Sequence, residues 1–129
     1  MTSLLQIKNL KTILHTSTEP VRAVDELTLQ IEKGETFALL GESGCGKSMT
    51  ALSIMRLLPD AGETVSGSVM LDREDLLLKS EASMRSIRGK QVSMIFQEPM
   101  LSLNPVLTVG EQIREVLKRH LNLRGMELQ

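Results

Sequence analysis

The stretch Thr36-Phe37-Ala38-Leu39-Leu40-Gly41-Glu42-Ser43-Gly44-Cys45-Gly46-Lys47-Ser48-Met49 decides how this chain reads. An apolar run ends in a glycine, four residues separate that glycine from Gly46-Lys47-Ser48, and a helical pattern follows. Glycines let the backbone curl so that successive N–H groups converge on one anion, and the positive end of the following helix favours the same charge. The spacing therefore predicts a phosphate-binding loop over 41–48. Gly41, Glu42, Ser43, Gly44, Cys45 and Gly46 would cradle the phosphates, and Met49 would continue the helix behind them. Lys47 would reach the outer phosphates, and the Ser48 hydroxyl would ligate Mg²⁺. A plain Gly/Ser turn that binds nothing is the competing reading, but such turns rarely carry Lys-Ser at this offset.

Composition narrows the classes that such a loop can serve. With 129 residues the chain suggests a single domain, large enough to bury a core. A hydrophobic fraction of 41% with 24% charged residues is that of a folded globular protein rather than a disordered tail. The net charge of −1, with both signs interspersed, leaves no long-range field to attract nucleic acid. Phe37 and Phe96 are the only aromatics, which argues against stacking platforms for single strands. No nucleic-acid partner is therefore expected. The lone Cys45 has no internal disulfide partner, in keeping with a reducing compartment. Met1-Thr2-Ser3-Leu4-Leu5-Gln6 lacks the basic and apolar regions of a leader, and no apolar run approaches membrane-spanning length. Work at a membrane would require a partner to hold the chain there.

Patterning outward from the loop predicts short strands on both sides. Leu5–Leu10 alternates like a half-buried strand, and Val24, Leu27, Leu29 and Ile31 suggest a second, irregular at Asp25-Glu26 and closed by Lys33-Gly34. Thr36–Leu40 reads as a buried central strand. Lys47–Leu58 reads as a helix with Ala51, Leu52, Met55 and Leu58 on one side and Pro59 as its stop. Ser66–Asp72 is a further strand, Ser80–Arg88 a short helix ended by Gly89, and Val92–Phe96 a second buried strand. Thr108 and Glu111 form a capping box ahead of Ile113, Val116, Leu117 and Leu121, an apolar stripe that needs a partner. The eight methionines read as core fillers, Arg85, Arg88 and Lys90 as a solvated helix end, and His120 as a helix-surface residue without metal partners. Asp72, at the end of Ser68-Val69-Met70-Leu71, is the one candidate acid for Mg²⁺, but Arg73 follows it and a surface turn fits better. Cys45, inside the ring of amide donors, is expected to react with thiol reagents and to be protected by bound nucleotide.

Two segments carry a family resemblance: Gly41–Ser48 with Met49-Thr50-Ala51-Leu52-Ser53-Ile54-Met55-Arg56-Leu57-Leu58-Pro59, and Ser93-Met94-Ile95-Phe96-Gln97-Glu98-Pro99-Met100-Leu101-Ser102-Leu103-Asn104-Pro105. Together they closely resemble the ATP-binding subunits of ATP-binding cassette (ABC) importers, in the branch that carries dipeptides, oligopeptides, glutathione and nickel. The resemblance runs from about Leu5 to about His120 and covers about the first half of such a subunit. It implies an α/β fold, a P-loop NTPase of the ABC ATPase type with an antiparallel β subdomain and the start of a helical subdomain, truncated. The implied layout over 1–129 is a Walker A loop at 41–48, a Q-loop at about 97–105 and the helical subdomain from about 108 to 121, with the C-terminal half absent. The tail Leu123-Arg124-Gly125-Met126-Glu127-Leu128-Gln129 follows that last helix with no later strand.

The resemblance also implies roles. ATP and Mg²⁺ are the expected cofactors, with Lys47 and Gln97 as catalytic residues and Ser48 and Gln97 at the metal. Gln97 matches the Q-loop glutamine, a neutral side chain able to switch partners between the ion and the attacking water. Glu98, Pro99, Met100 and Leu101 would face a transmembrane permease subunit. A second ABC ATPase subunit, identical or merely similar, would close face to face with this one, and an extracytoplasmic solute-binding protein would act indirectly. The implied location is peripheral, on the cytoplasmic face of the inner or plasma membrane.

Departures from the family pattern matter as much. Family members commonly place an aromatic ring under adenine near Ile13, Leu14 and His15, yet the chain has no Tyr or Trp. Ile13 is then the expected base contact, forfeiting about 1–3 kcal/mol of stacking. His15 is the other candidate, against the default of a solvated loop histidine. The Ser-Gly-Gly signature run, the strand ending in Asp-Glu and the switch histidine do not occur in these residues. A chain without them is expected to bind nucleotide weakly and not to turn it over. Three classes stay open: the energy-coupling subunit of a peptide-type importer, a stand-alone truncated nucleotide-binding fragment without transport or hydrolysis, and a P-loop small-molecule kinase. The last would need an arginine-rich lid and has no place for Gln97-Glu98-Pro99.

Overall fold

The computed structural model describes residues 3–123. They fall into two compact units that part between Ser80 and Glu81, where composition suggests one domain. The first unit contains β1 (Ser3–Leu14), β2 (Val21–Glu32), α1 (Lys47–Met55), β3 (Gly62–Leu71) and β4 (Glu74–Asp75), followed by a 3₁₀ turn at Leu76–Leu78. The strands form one antiparallel sheet in the order β2-β1-β3-β4. This is the antiparallel subdomain that the family resemblance implies, with strands longer than their alternating cores suggest.

The sheet is bent by its own sequence. Asn9 (φ 47°) and Glu26 (φ 51°) take left-handed backbone angles inside β1 and β2, and the pairing slips beside each. Such bulges raise the local twist and re-aim the residues that follow. The Asn9 N–H donates to Thr28 Oγ1 at 3.0 Å, and the Thr28 hydroxyl donates to Asn9 Oδ1 at 3.2 Å, so side chains replace the lost ladder bond. At the second bulge Lys11 Nζ lies 2.9 Å from Glu26 Oε1, and the bond to that carboxylate raises the Lys11 pKa above its ordinary value. The irregularity that Asp25-Glu26 forecasts is thus real. The Asn9 bulge, which adds its extra residue to β1, puts Ile7, Leu10 and Thr12 on one buried face of that strand.

Helix α1 packs on β1 and β2. Ile7, Leu10, Val24, Met55, Val69, Leu71 and Leu76 are buried in this unit, each worth roughly 1.5–3 kcal/mol against exposure. Of the predicted side Ala51, Leu52, Met55 and Leu58 only Met55 is fully buried, the other three being half-buried, and Thr50 and Ser53 are buried in their place. It also stops at Met55, short of the predicted Leu58. Arg56 turns left-handed (φ 52°), and the Leu57 N–H closes on Leu52 O at 2.9 Å. A non-glycine residue there costs about 1–2 kcal/mol. Its guanidinium offsets that by donating to Leu76 O, at 3.1 Å, and to Lys79 O.

Two expected strands are not formed. Thr36–Leu40 makes no ladder, and Leu40 is 88% exposed. Val92–Phe96 makes only the isolated bridge Arg88–Val92, and Ile95 is 91% exposed. An apolar run becomes a strand only when neighbours take up its N–H and C=O groups. Among the described residues none lies in ladder register with either run.

The second unit contains α2 (Glu81–Ile87), a 3₁₀ turn at Pro99–Ser102 and α3 (Val109–Leu121). Helix α3 starts where the capping box places it: Thr108 Oγ1 accepts from the Glu111 N–H at 3.2 Å, and Glu111 Oε2 accepts from the Thr108 N–H at 2.8 Å. The Thr108 hydroxyl, then its backbone N–H, hold the Glu111 carboxyl below its usual range. The stripe Ile113, Val116 and Leu121 is exposed. Arg88 and Arg85 pair with Glu81, at 2.7 and 3.7 Å; Arg85 is exposed as a solvated helix end should be, but the Arg88 side chain is only 15% exposed. His120 is half-buried and packs beside Gly89, closer in than a surface residue. Met55 and Met84 are buried, Met49, Met70 and Met94 half-buried, and Met100 exposed. The tail 124–129 lies outside the described residues.

Candidate functional site

The loop 41–48 leads into α1 with the geometry that an anion site requires. Gly46 caps the helix at φ 92°, and no side chain bonds the first-turn N–H groups. No acidic residue occupies that first turn. The free N–H groups and the helix dipole together favour a negative ligand. Lys47 Nζ folds back over the loop and donates to Gly41 O at 2.7 Å and Glu42 O at 2.6 Å, with Cys45 Sγ at 3.4 Å. The ammonium is thereby held by weakly basic carbonyls that a phosphate oxygen can replace. The Ser48 side chain is exposed, Met49 is half-buried, and the Thr50 hydroxyl donates to Gly46 O at 3.0 Å, stiffening the start of the helix.

Gly46 is indispensable here for a second reason. A Cβ at this position would collide with the carbonyl oxygen of Ala23. The loop thus lies directly on β2, an approach open only to glycine. A cleft of about 350 Å³ beside it is lined by Arg22, Ala23, Leu39, Leu40, Cys45 and Lys47. Ala23 escaped the sequence reading because an alanine carbonyl carries no signal in the pattern.

The other expected site residues are placed less directly. Ile13 is half-buried near the end of β1, paired with Arg22 and Glu63. Around it the extra residues belong to β2 and β3, so β1 alternates regularly and Ile13 points away from the face that carries Thr12. Leu14 shares the Thr12 face. His15 is exposed, with Nε2 3.0 Å from Glu63 Oε2, so its ring is already engaged. Asp72 (φ 43°) sits in the turn between β3 and β4, its N–H bonded to Leu4 O at 2.9 Å. It is a surface turn acid. Gln97 lies in the second unit, where Phe96, Gln97, Glu98 and Ser102 line a hollow of about 610 Å³. Among the described residues no group of three or more His, Cys, Asp or Glu could hold a metal ion. An Mg²⁺ at Ser48 would therefore be held mainly by phosphate oxygens and water, which suits that ion.

A family profile described as ABC transporter matches residues 24–128. The chain belongs to the ABC transporter family. Among ABC transporter relatives, it is 53% identical over 128 residues to the oligopeptide transport ATP-binding protein AppD of Bacillus subtilis, covering 98% of this chain and 39% of that protein. With the dipeptide transport ATP-binding protein DppD of the same organism it shares 47% over 121 residues, 93% of this chain and 36% of that one. With the glutathione import ATP-binding protein GsiA of Shigella flexneri it shares 46% over 126 residues, 93% and 20% respectively. The dimeric structure of MJ0796, a bacterial ABC transporter cassette, superposes with a TM-score of 0.78 at 26% identity, covering 94% of this chain and 49% of that one. A second structure of that cassette, bound to ADP and Pi, gives the same values. The ABC ATPase fold expected from the sequence is therefore present. The chain spans about two fifths or less of these curated relatives and about half of the solved cassette.

Proposed function

We propose that this chain binds Mg-ATP at the 41–48 loop and belongs to the energy-coupling subunit of a peptide-type ABC importer. The carrying observation is the loop itself. An uncapped helix N-terminus, a glycine seated on the Ala23 carbonyl and a lysine held over the loop by two replaceable carbonyls form a phosphate site. Gly41–Gly46 supply backbone donors, Lys47 the outer-phosphate contact, and Ser48 the hydroxyl for Mg²⁺, with Met49 behind them. The ion would neutralise phosphate charge when bound. Gln97 is supported by its motif as a switchable ligand for ion and water. The base is proposed at the end of β1, with Ile13 and its neighbours.

The peptide branch is supported by relatives whose names specify oligopeptide, dipeptide and glutathione transport. Proposed partners are permease subunits meeting Glu98-Pro99-Met100-Leu101, a second ATPase subunit as in the dimeric cassette, and indirectly a solute-binding protein. The proposed place is the cytoplasmic membrane face; among the described residues no helix is long and apolar enough to cross a membrane. We further propose that these 129 residues alone bind without turnover, since they contain no Ser-Gly-Gly run and no Asp-Glu strand end. Phosphate release from saturating Mg-ATP tests this: none above background is expected, and sustained release abolished by Lys47→Ala would overturn it.

A further inference from the structure

Thr12 and Ser53 are fully buried and lie 2.8 Å apart, oxygen to oxygen, joining β1 to α1. The direction of the bond follows from proton counting. Ser53 has one hydroxyl proton and donates it to Met49 O at 2.7 Å, so its oxygen accepts from Thr12. Leu10, Val24 and Met55 are buried in the same unit, where Thr50 is the one other buried polar side chain among the described residues. A fully buried hydroxyl is a net cost unless it is bonded; Ser53 has the Met49 carbonyl, and Thr12 has Ser53. Apolar contact is non-directional and tolerates a helix settling at several positions along a sheet. A directed bond selects one.

The position of the pair gives that selection a consequence. Ser53 lies six residues along α1 from Lys47, about 9 Å of rigid helix from the phosphate loop. Thr12 directly precedes Ile13-Leu14, the end of β1 proposed to meet the base. We infer that the Thr12–Ser53 hydrogen bond is a positioning pair that sets the distance between the base-side and phosphate-side halves of the nucleotide site. The inference rests on the nucleotide reading above. Neither residue touches the ligand; the pair acts through α1 and β1. Its loss leaves each half intact and misplaces one against the other, which weakens a ligand spanning both and spares one that occupies only the loop.

The test measures affinity of the 129-residue chain for Mg-ATP and for Mg-tripolyphosphate by calorimetry, in the wild type and in Thr12→Val, Ser53→Ala, the double variant and Thr12→Ser. A buried hydrogen bond is worth about fivefold in an equilibrium. Thr12→Val and Ser53→Ala are expected to weaken ATP about fivefold while tripolyphosphate binding is unchanged, and Thr12→Ser is expected to restore ATP. Thr12→Val leaves Ser53 bonded to Met49 O, whereas Ser53→Ala leaves the Thr12 hydroxyl without its partner; the double variant removes both hydroxyls, so it folds even where Ser53→Ala does not, and it shows the same selective loss. Parallel loss of both ligands, or loss of neither, overturns the positioning role. A wild type that binds tripolyphosphate and ATP equally also overturns it, whereas one that binds neither overturns the nucleotide reading itself.

Discussion

Comparing Gly46→Ala with Gly44→Ala separates two costs that usually arrive together. At position 46, with φ 92°, an alanine incurs left-handed strain of about 1–2 kcal/mol. Its Cβ would also collide with the Ala23 carbonyl oxygen, a backbone atom that has no rotamer by which to withdraw. Restoring an ordinary contact moves the loop off β2 by on the order of 1 Å. Gly44 is the control, with φ 84° and nothing within 4 Å of the place a methyl would take, so Gly44→Ala meets the strain alone. Overpacking against fixed backbone adds a further 1–3 kcal/mol or so. Urea unfolding should then place Gly46→Ala about 2–5 kcal/mol below wild type and Gly44→Ala about 1–2 kcal/mol below it. A displacement of that size parts the loop's N–H donors from the phosphates, so Mg-ATP should bind more weakly to Gly46→Ala than to Gly44→Ala. Equal stability and equal ATP affinity of the two variants would refute the claim that the loop is seated on the Ala23 carbonyl.

Other outcomes follow from the same geometry. Cys45, exposed and beside Lys47 Nζ, should be labelled by a maleimide, and saturating Mg-ATP should slow the labelling; equal rates with and without nucleotide would contradict the loop assignment. The Glu111 carboxyl is held below its ordinary value of 4.5, so its share of α3 stability is present above that pH and lost as pH falls through the folded value. Helicity of α3 followed by circular dichroism should therefore fall with acid below about pH 4.5, and Glu111→Gln should lose that dependence. The exposed Leu40, Ile95, Val106 and the α3 stripe predict self-association of the 129-residue chain; a single monomeric species in sedimentation with cooperative unfolding would count against it.

The local signals in this sequence are strong where a short stretch determines its own geometry. The Gly41–Ser48 spacing, the Thr108–Glu111 box and the irregularity at Asp25-Glu26 each fold as their residues direct, because capping, turns and bulges are settled within a few positions. The misses are non-local. Thr36–Leu40 and Val92–Phe96 have the composition of buried strands, but strand pairing depends on neighbours that no window of sequence reveals. The early end of α1 depends on Arg56 reaching carbonyls 20 and 23 residues away. Within the site, the loop is legible and its seat is not. Ala23 acts through its carbonyl, and Thr12 and Ser53 through a bond across 41 positions. Neither end of that last pair is legible, since the alternating strand pattern stops at Leu10 and the predicted apolar side of α1 does not include Ser53.

The most direct test of the account is calorimetric titration of the purified chain with Mg-ATP, alongside Lys47→Ala with its fold checked by circular dichroism. Saturable binding by the wild type, lost in a folded Lys47→Ala, is the predicted result. Absence of binding by a folded wild type, or undiminished binding by the variant, would contradict the assignment of 41–48 as the nucleotide site.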